Sequence, residues 1–126
     1  MALDRAVASA DGPEARLRAA VRFHVLFHTD SQHEAFVSGS ELRSLTQANL
    51  RLVLTRRDEY ERVFRGLLAS GVRAGVFQVA DVRLTAMAIL TMCTGVATWF
   101  ADGGRLSPEA IADRYVEMIM KSVKRG

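Results

Sequence analysis

Apolar residues recur along this chain at intervals of three and four, the spacing that places side chains on one face of an α-helix. The pattern predicts helices over about residues 14–29, 32–37, 41–70, 82–101 and 108–123. Residues 1–10 have the composition of the end of a further helix. We therefore predict an all-α fold of five to six helices.

Helix start and stop signals lie between these segments. Asp81 is the predicted N-cap of the most apolar helix, and Ser107 followed by Pro108 is predicted to begin the last one. Gly71 is predicted to stop the long helix at about residue 70, because glycine readily adopts the left-handed conformation that ends helices.

The predicted helix over residues 82–101 has two different sides. One side carries larger apolar residues that suit a protein core: Ile89, Cys93, Val96 and Phe100. The opposite side carries small residues: Ala88, Thr91, Gly95 and Thr98. Small side chains let a second helix approach closely, so this side is predicted to pack on another helix. One face of the final helix has a similar spacing: Ile111, Tyr115, Met118 and Ser122.

Composition narrows the class of protein. A chain of 126 residues with 49% hydrophobic and 25% charged residues is typical of a single globular domain in water. Its one cysteine, Cys93, excludes an intramolecular disulfide, and the first residues lack the apolar core of a signal peptide. We therefore expect a cytoplasmic protein.

Residues 84–101 contain no charged side chain and approach the length of a membrane-spanning helix. Threonines and a glycine interrupt this run, and Arg83 and Asp102 bound it. These features favour a helix that packs within a protein on both sides, so we expect no membrane contact.

Several sequence pieces follow one another in a characteristic order. They are ARLRAAVRFHVLFH at residues 15–28, ELRSL at 41–45, RDEYERVFRGLLASGVRAGVF at 57–77, Trp99-Phe100, and Ser-Pro-Glu at 107–109. Over about residues 14–123 the chain resembles the C-terminal domain of TetR-family transcriptional regulators. The resemblance is strongest to a branch with sterol-catabolism and acyl-CoA-responsive repressors.

The resemblance implies an effector-sensing domain of a bacterial repressor, with an apolar ligand that is an acyl-CoA or a sterol-derived metabolite. It also implies a homodimer in which the last two helices of each protomer form a four-helix bundle. In this family three N-terminal helices bind DNA and a fourth connects them to the regulatory domain. Residues 1–10 resemble a remnant of that linker helix, and residues 11–126 the ligand-binding and dimerisation domain.

DNA binding is accordingly expected only of a full-length form and not of this chain by itself. The net charge of +3 agrees with this expectation, because the basic residues are scattered rather than gathered into a dense block.

The resemblance and the helical pattern together give two sets of candidate site residues. The ligand-binding set is mostly apolar or aromatic: Phe23, His24, Phe27, Tyr60, Phe64, Met87, Met92 and Trp99. The dimer-interface set joins the two faces above: Ala88, Thr91, Gly95, Thr98, Ile111, Tyr115, Met118 and Ser122. Met and aromatic side chains shape adaptable apolar cavities, although each ligand-set residue also fits a plain core position. Arg56, Arg57 and Arg62 either form solvated ion pairs or attract the phosphates of the ligand.

Signatures of catalysis are missing from the sequence. It has no Gly-x-x-x-x-Gly-Lys, Gly-x-Gly-x-x-Gly or Gly-x-Ser-x-Gly motif, so we expect no enzyme activity, no catalytic residue and no cofactor. His24 and His28 have the spacing of helical metal ligands, with His33 as a third candidate, but they fit core positions better and no metal site is expected. Two alternatives remain. One is a stand-alone helical protein that sequesters a ligand or pairs with a full-length regulator, and the more remote one is a metal-dependent hydrolase.

Overall fold

The structure is a computed structural model that has six helical segments within the residues it describes. It describes the backbone of residues 2–30, 47–101 and 103–126, and the side chains of residues 3–30, 56–101 and 103–126. The helices are α1 (Ala2–Ala8), α2 (Gly12–Asp30), α3 (Gln47–Arg73), α4 (Val82–Thr94), α5 (Val96–Trp99) and α6 (Pro108–Val123). The described ranges contain no β-sheet, and the predicted all-α fold is confirmed.

Some sequence predictions fall on residues outside these described ranges. They are the short helix over residues 32–37, the beginning of the long helix at residues 41–46, His33 and Asp102.

The central helix is α2, which packs against each of the five other helices in the described ranges. Its apolar stripe is buried as the periodicity predicts: Leu17, Ala20, Val21, His24 and Val25. The other helices add their own apolar faces to the same core: Leu3, Phe64, Leu68, Ile89, Cys93, Ile111 and Met120. The fold therefore has one continuous core around α2.

The predicted N-caps of α4 and α6 are both present. Asp81 Oδ1 accepts a hydrogen bond from the Leu84 amide at 3.0 Å, and Ser107 Oγ accepts one from the Ala110 amide at 3.1 Å. Each side chain satisfies an amide that has no partner within its own helix, so each fixes the residue at which its helix begins.

The predicted end of the long helix at Gly71 is wrong, because α3 continues to Arg73. The left-handed residue is Gly75, with φ of +77°. The Gly75 amide donates to the Val72 carbonyl and the Val76 amide to the Gly71 carbonyl, both at 3.0 Å, which is the Schellman pattern. Gly71 is buried inside the helix, where a Cβ would overlap the ring of Phe77.

The predicted continuous helix over residues 82–101 is also wrong. It ends at Thr94, is interrupted at Gly95, and resumes as the single turn α5, after which Phe100 is extended. At the interruption the Thr94 hydroxyl donates to the Leu90 carbonyl at 2.7 Å, and the Thr98 hydroxyl donates to the Gly95 carbonyl at 2.7 Å. Threonine side chains that bond the carbonyls of their own helix disturb it, and glycine adds backbone freedom.

The chain terminus is fastened to the connection between α3 and α4. The Gln78 amide donates to the Val123 carbonyl at 2.8 Å, and the Arg125 amide donates to the Val76 carbonyl at 3.1 Å. These bonds hold the end of α6 against the connection that follows α3.

Candidate functional site

A cluster of ring side chains around His24 lies between α2 and α3. The His24 ring meets the rings of Tyr60, Phe64 and His28 edge to face, with centroid distances of 5.0, 5.9 and 4.6 Å. His24 and Phe64 are fully buried, His28 is nearly so, and Tyr60 is half-buried. A histidine pair is thus packed among aromatic rings in the protein interior.

The two histidines face each other through the same ring nitrogen. His24 Nε2 lies 3.2 Å from His28 Nε2 and 3.4 Å from the Thr94 hydroxyl oxygen. The remaining ring nitrogens, Nδ1 of both histidines, are buried and have no hydrogen-bond partner among the described residues. Buried polar atoms normally have partners, so these two nitrogens are an exception that needs an explanation.

Both imidazoles are neutral at physiological pH. Burial, with the neighbouring His28 as a smaller cause, lowers the pKa of His24 to about 3. Burial also lowers the pKa of His28. The cluster therefore presents uncharged hydrogen-bonding groups in apolar surroundings, rather than a cation.

A second feature is an apolar face exposed on α4, α5 and α6. Leu84 is 62% exposed, Trp99 53%, and Met87 and Met118 each 50%. The small residues Ala88, Thr91 and Thr98 and the hydroxyl residue Ser122 are exposed as well. We call these eight residues the exposed apolar face. Large apolar side chains in such number at a surface are typical of a contact with another molecule.

Trp99 and Tyr115 connect the two helical parts of this face. Burial and the nearby Cys93 thiol raise the pKa of Tyr115. The Trp99 indole lies close enough to the Tyr115 phenol to lower its pKa slightly, as the smallest of three influences. Cys93 itself is buried, and burial raises the pKa of its thiol to about 12, as expected of an unreactive core cysteine.

On length and composition alone, Val82–Trp99 is apolar enough to cross a membrane, with a mean hydropathy of 1.3, and 28% of it is buried in the protomer. Six residues of the exposed apolar face lie in this stretch, and its helix is interrupted at Gly95.

The comparison with protein families decides what kind of domain this is. A family model described as the tetracyclin repressor-like C-terminal domain matches residues 10–123. The chain belongs to this family. The resemblance inferred from the sequence pieces is therefore confirmed, and the chain is a TetR-type regulatory domain, in a family of transcriptional regulators.

Solved TetR-family structures have the same fold. A regulatory protein from Rhodococcus RHA1 is 29% identical to this chain, with a TM-score of 0.86. The match covers 99% of this chain and 68% of the Rhodococcus protein. The ketosteroid transcriptional regulator KstR2 of Mycobacterium tuberculosis is 17% identical to this chain, with a TM-score of 0.89. The match covers 98% of this chain and 64% of KstR2. AibR, in a structure with isovaleryl coenzyme A and operator DNA, is 27% identical to this chain, with a TM-score of 0.76. The match covers 89% of this chain and 61% of AibR.

The chain thus spans about two thirds of the length of these TetR-family proteins. KstR2 shows likeness of fold alone, because its identity to this chain is low. A search of curated protein sequences gives no match.

The TetR-type domain brings together part of the predicted ligand-binding set. His24, Tyr60 and Phe64 are in direct ring contact, and Phe23 and Met92 are half-buried against the same core. The ring of Phe27 contacts His28 at 5.3 Å, although Phe27 is 40% exposed. Ligand contact by this set stays a prediction.

Two members of the ligand-binding set lie elsewhere. Met87 and Trp99 belong to the exposed apolar face, not to the ring cluster. Within the dimer-interface set, Ile111 is buried in the core of its own chain, while Gly95 and Tyr115 are half-buried. The other five members are on the exposed apolar face. Their contact with a second protomer likewise stays a prediction.

The site includes two residues that were not in the ligand-binding set. His28 follows His24 by one helical turn, a spacing that the sequence reveals. Thr94 approaches His24 from α4, and no sequence signal indicated this contact. Within the described ranges no group of three or more His, Cys, Asp or Glu side chains is placed to hold a metal ion.

Proposed function

We propose that this chain is the effector-sensing and dimerisation domain of a TetR-type transcriptional regulator, and that its effector is a mostly apolar small molecule. The observation that carries the proposal is the ring cluster of His24, Tyr60 and Phe64, which combines apolar walls with unsatisfied buried nitrogens. Effector pockets have this character, in which a few polar groups orient a ligand held mainly by apolar contacts.

An acyl-CoA is the leading ligand class in this proposal. AibR, which is 27% identical, is known in complex with isovaleryl coenzyme A. On α3, the helix that carries Tyr60, the side chains of Arg56, Arg57 and Arg62 are exposed. Guanidinium groups match phosphate geometry, so these arginines suit the nucleotide end of such a ligand. A sterol-derived metabolite is the second class.

The proposal gives the exposed apolar face the role of dimer interface. Its members follow one another on α4 at helical spacing, as Leu84, Met87, Ala88 and Thr91 do, and Met118 and Ser122 continue the face on α6. Two helices from each protomer would then form a four-helix bundle. In a full-length regulator the dimer would set the distance between the two DNA-binding domains. In this proposal the domain works in the cytoplasm, where it senses the ligand and binds neither DNA nor a membrane.

Ligand screening by thermal shift tests the proposal. Acyl-CoAs of several chain lengths, free fatty acids and planar aromatic compounds are compared on the purified chain. A ligand at about 100 times its Kd is expected to add about 2.7 kcal/mol to the free energy of unfolding. Absence of any stabilising compound in these classes would contradict the proposal.

Two alanine variants then locate the ligand. Tyr60→Ala is expected to weaken a confirmed ligand at least tenfold by calorimetry, because it removes a wall of the ring cluster. Val72→Ala is the control, a truncation at an exposed residue of α3 that belongs to neither the ring cluster nor the exposed apolar face, and is expected to leave the affinity unchanged. If Tyr60→Ala binds the ligand as tightly as the control variant does, the pocket lies away from His24.

A further inference from the structure

We propose that the Nδ1–H of His28 donates a hydrogen bond to an uncharged oxygen of the effector, such as a carbonyl or hydroxyl, and that the site selects against a carboxylate. The inference rests on the proposed function and specifies the polar group that the pocket recognises. It starts from the hydrogen-bond network around the two histidines.

Thr94 determines where the proton of His24 lies. Its hydroxyl hydrogen is already donated to the Leu90 carbonyl at 2.7 Å. The same oxygen, 3.4 Å from His24 Nε2, can therefore only accept. A hydrogen on His24 Nε2 makes the contact with the Thr94 oxygen favourable. Without that hydrogen, a lone pair of the nitrogen would point at a lone pair of the oxygen. We assign the Nε2–H tautomer to His24 on this ground.

The tautomer of His24 in turn fixes that of His28. The Nε2 atoms of the two rings are 3.2 Å apart, and only one hydrogen fits between them. His24 Nε2 carries a hydrogen and has no free lone pair, so His28 Nε2 must be unprotonated, and the His24 hydrogen is shared between it and the Thr94 oxygen. The neutral His28 ring then carries its hydrogen on Nδ1.

This Nδ1–H is a buried donor without an acceptor among the described residues. Leaving such a donor unsatisfied is costly, and an effector oxygen that reaches it removes the cost. The neighbouring Phe27 ring, which contacts the His28 ring at 5.3 Å, is 40% exposed. His24 Nδ1, by the same assignment, is an unsatisfied acceptor.

The charge of the cluster decides which oxygen is favoured. Both rings are neutral, and among the described residues their further ring and hydrogen-bond contacts are with Tyr60, Phe64, Phe27 and the Thr94 hydroxyl. Within the part of the chain whose side chains are described, none of these partners is a cation, so a carboxylate buried here would lack a compensating charge, which is strongly unfavourable. A thioester carbonyl or an alcohol accepts the same hydrogen bond without that cost.

Four compounds with the same ten-carbon chain test the selectivity by calorimetry at pH 7.5: decanoyl-CoA, 1-decanol, decanoate and n-decane. We expect 1-decanol to bind at least tenfold more tightly than decanoate. The comparison of decanoyl-CoA with 1-decanol separates a thioester ligand from a free alcohol. Tightest binding by decanoate would overturn the inference and leave the proposed effector function standing.

Two substitutions at His28 separate its two ring nitrogens. His28→Asn keeps an N–H donor near the Nδ1 position, whereas His28→Gln keeps a polar group near the Nε2 position and loses the Nδ1 donor. We expect His28→Gln to weaken 1-decanol about three- to tenfold, the usual effect of one neutral hydrogen bond, and His28→Asn to weaken it less. Neither substitution should change the binding of n-decane. Equal affinity of wild type and His28→Gln for 1-decanol would overturn the inference alone.

Long-range proton–nitrogen NMR of the unmodified protein tests the tautomers without any substitution. The expected spectrum has His24 protonated on Nε2 and His28 on Nδ1, with the His28 Nδ1 signal shifting when 1-decanol binds. Reversed tautomers would overturn the inference. Failure of all four compounds and of the wider effector panel to bind would overturn both the inference and the proposed function.

Discussion

Gly71 is buried because the ring of Phe77 lies directly over its Cα, on the far side of the Schellman turn. We expect Gly71→Ala to lower the free energy of unfolding by about 1–3 kcal/mol, since the added methyl displaces a buried aromatic ring. Gly66→Ala is the matched control on the same helix, where a Cβ meets nothing within 4 Å. It is expected to raise stability by about 0.5–1 kcal/mol through helix propensity. Urea unfolding of both variants measures the difference, and equal stabilities would refute the close contact.

His24 makes the stability of the domain sensitive to mild acid. Its folded-state pKa is about 3, below the ordinary value of 6.5, so the unfolded chain binds the proton more readily. The stability contributed by neutral His24 is therefore complete above pH 6.5 and is lost as the pH falls towards 3. Between pH 7.5 and 5.5 we expect the free energy of unfolding to fall by about 1–3 kcal/mol, the lowered pKa of His28 adding to the effect.

The matched variant for this pH effect is His24→Gln, which removes the titrating ring. Urea unfolding of this variant at the same two pH values should show a smaller loss than the wild type. An identical loss in both proteins would mean that other groups cause the pH dependence.

Residue positions in the site were only partly predictable from the sequence. His24 and Phe64 were identified because helical periodicity places them on buried stripes. Met87 was assigned to the ligand although it adjoins Ala88 on the side that packs outward. Periodicity gives the relation between residues on one helix, but which neighbour each side meets depends on packing between helices.

At the scale of helices, local signals were reliable where one side chain satisfies one backbone group. Asp81 and Ser107 cap their helices as the sequence predicts, because an N-cap needs only residues within one turn. The end of α3 was missed since Gly71 serves a contact six residues further along the chain, a use of glycine that its surrounding sequence does not reveal. The interruption at Gly95 was missed in the same way, because two threonine hydroxyls determine it.

The N-cap of α6 gives a prediction at this scale. Ser107→Ala removes the acceptor of the Ala110 amide and is expected to cost about 0.5–2 kcal/mol of unfolding free energy. Ser9→Ala is the control, because the Ser9 hydroxyl only adds a hydrogen bond to the Ala6 carbonyl and leaves no amide unsatisfied. Thermal unfolding compares them. A Ser107→Ala melting temperature no lower than that of Ser9→Ala would mean that the cap contributes nothing.

At the scale of the whole molecule, α4 separates two surfaces of different character. Its buried side carries Ile89 and Cys93 and, through Thr94, touches His24 of the ring cluster. Its other side belongs to the exposed apolar face. The interruption at Gly95 follows Thr94 directly and leads into the turn that carries Trp99. An effector that moves Thr94 would therefore act next to Gly95, where α4 ends and α5 begins. The turn that follows carries Trp99, which belongs to the proposed dimer interface.

The exposed apolar face gives the prediction that concerns assembly. Met118 is 50% exposed in the protomer, so Met118→Glu should leave the isolated fold intact. In a dimer it would bury a carboxylate among Leu84, Met87 and their partner copies, which is strongly unfavourable. We expect sedimentation at micromolar concentration to find a dimer for the wild type and a monomer for Met118→Glu. Val72→Glu, a similar change at an exposed valine of α3, should remain dimeric. A monomeric wild type, or an unaltered dimer in Met118→Glu, would show that this face is covered by something other than a second copy of the chain.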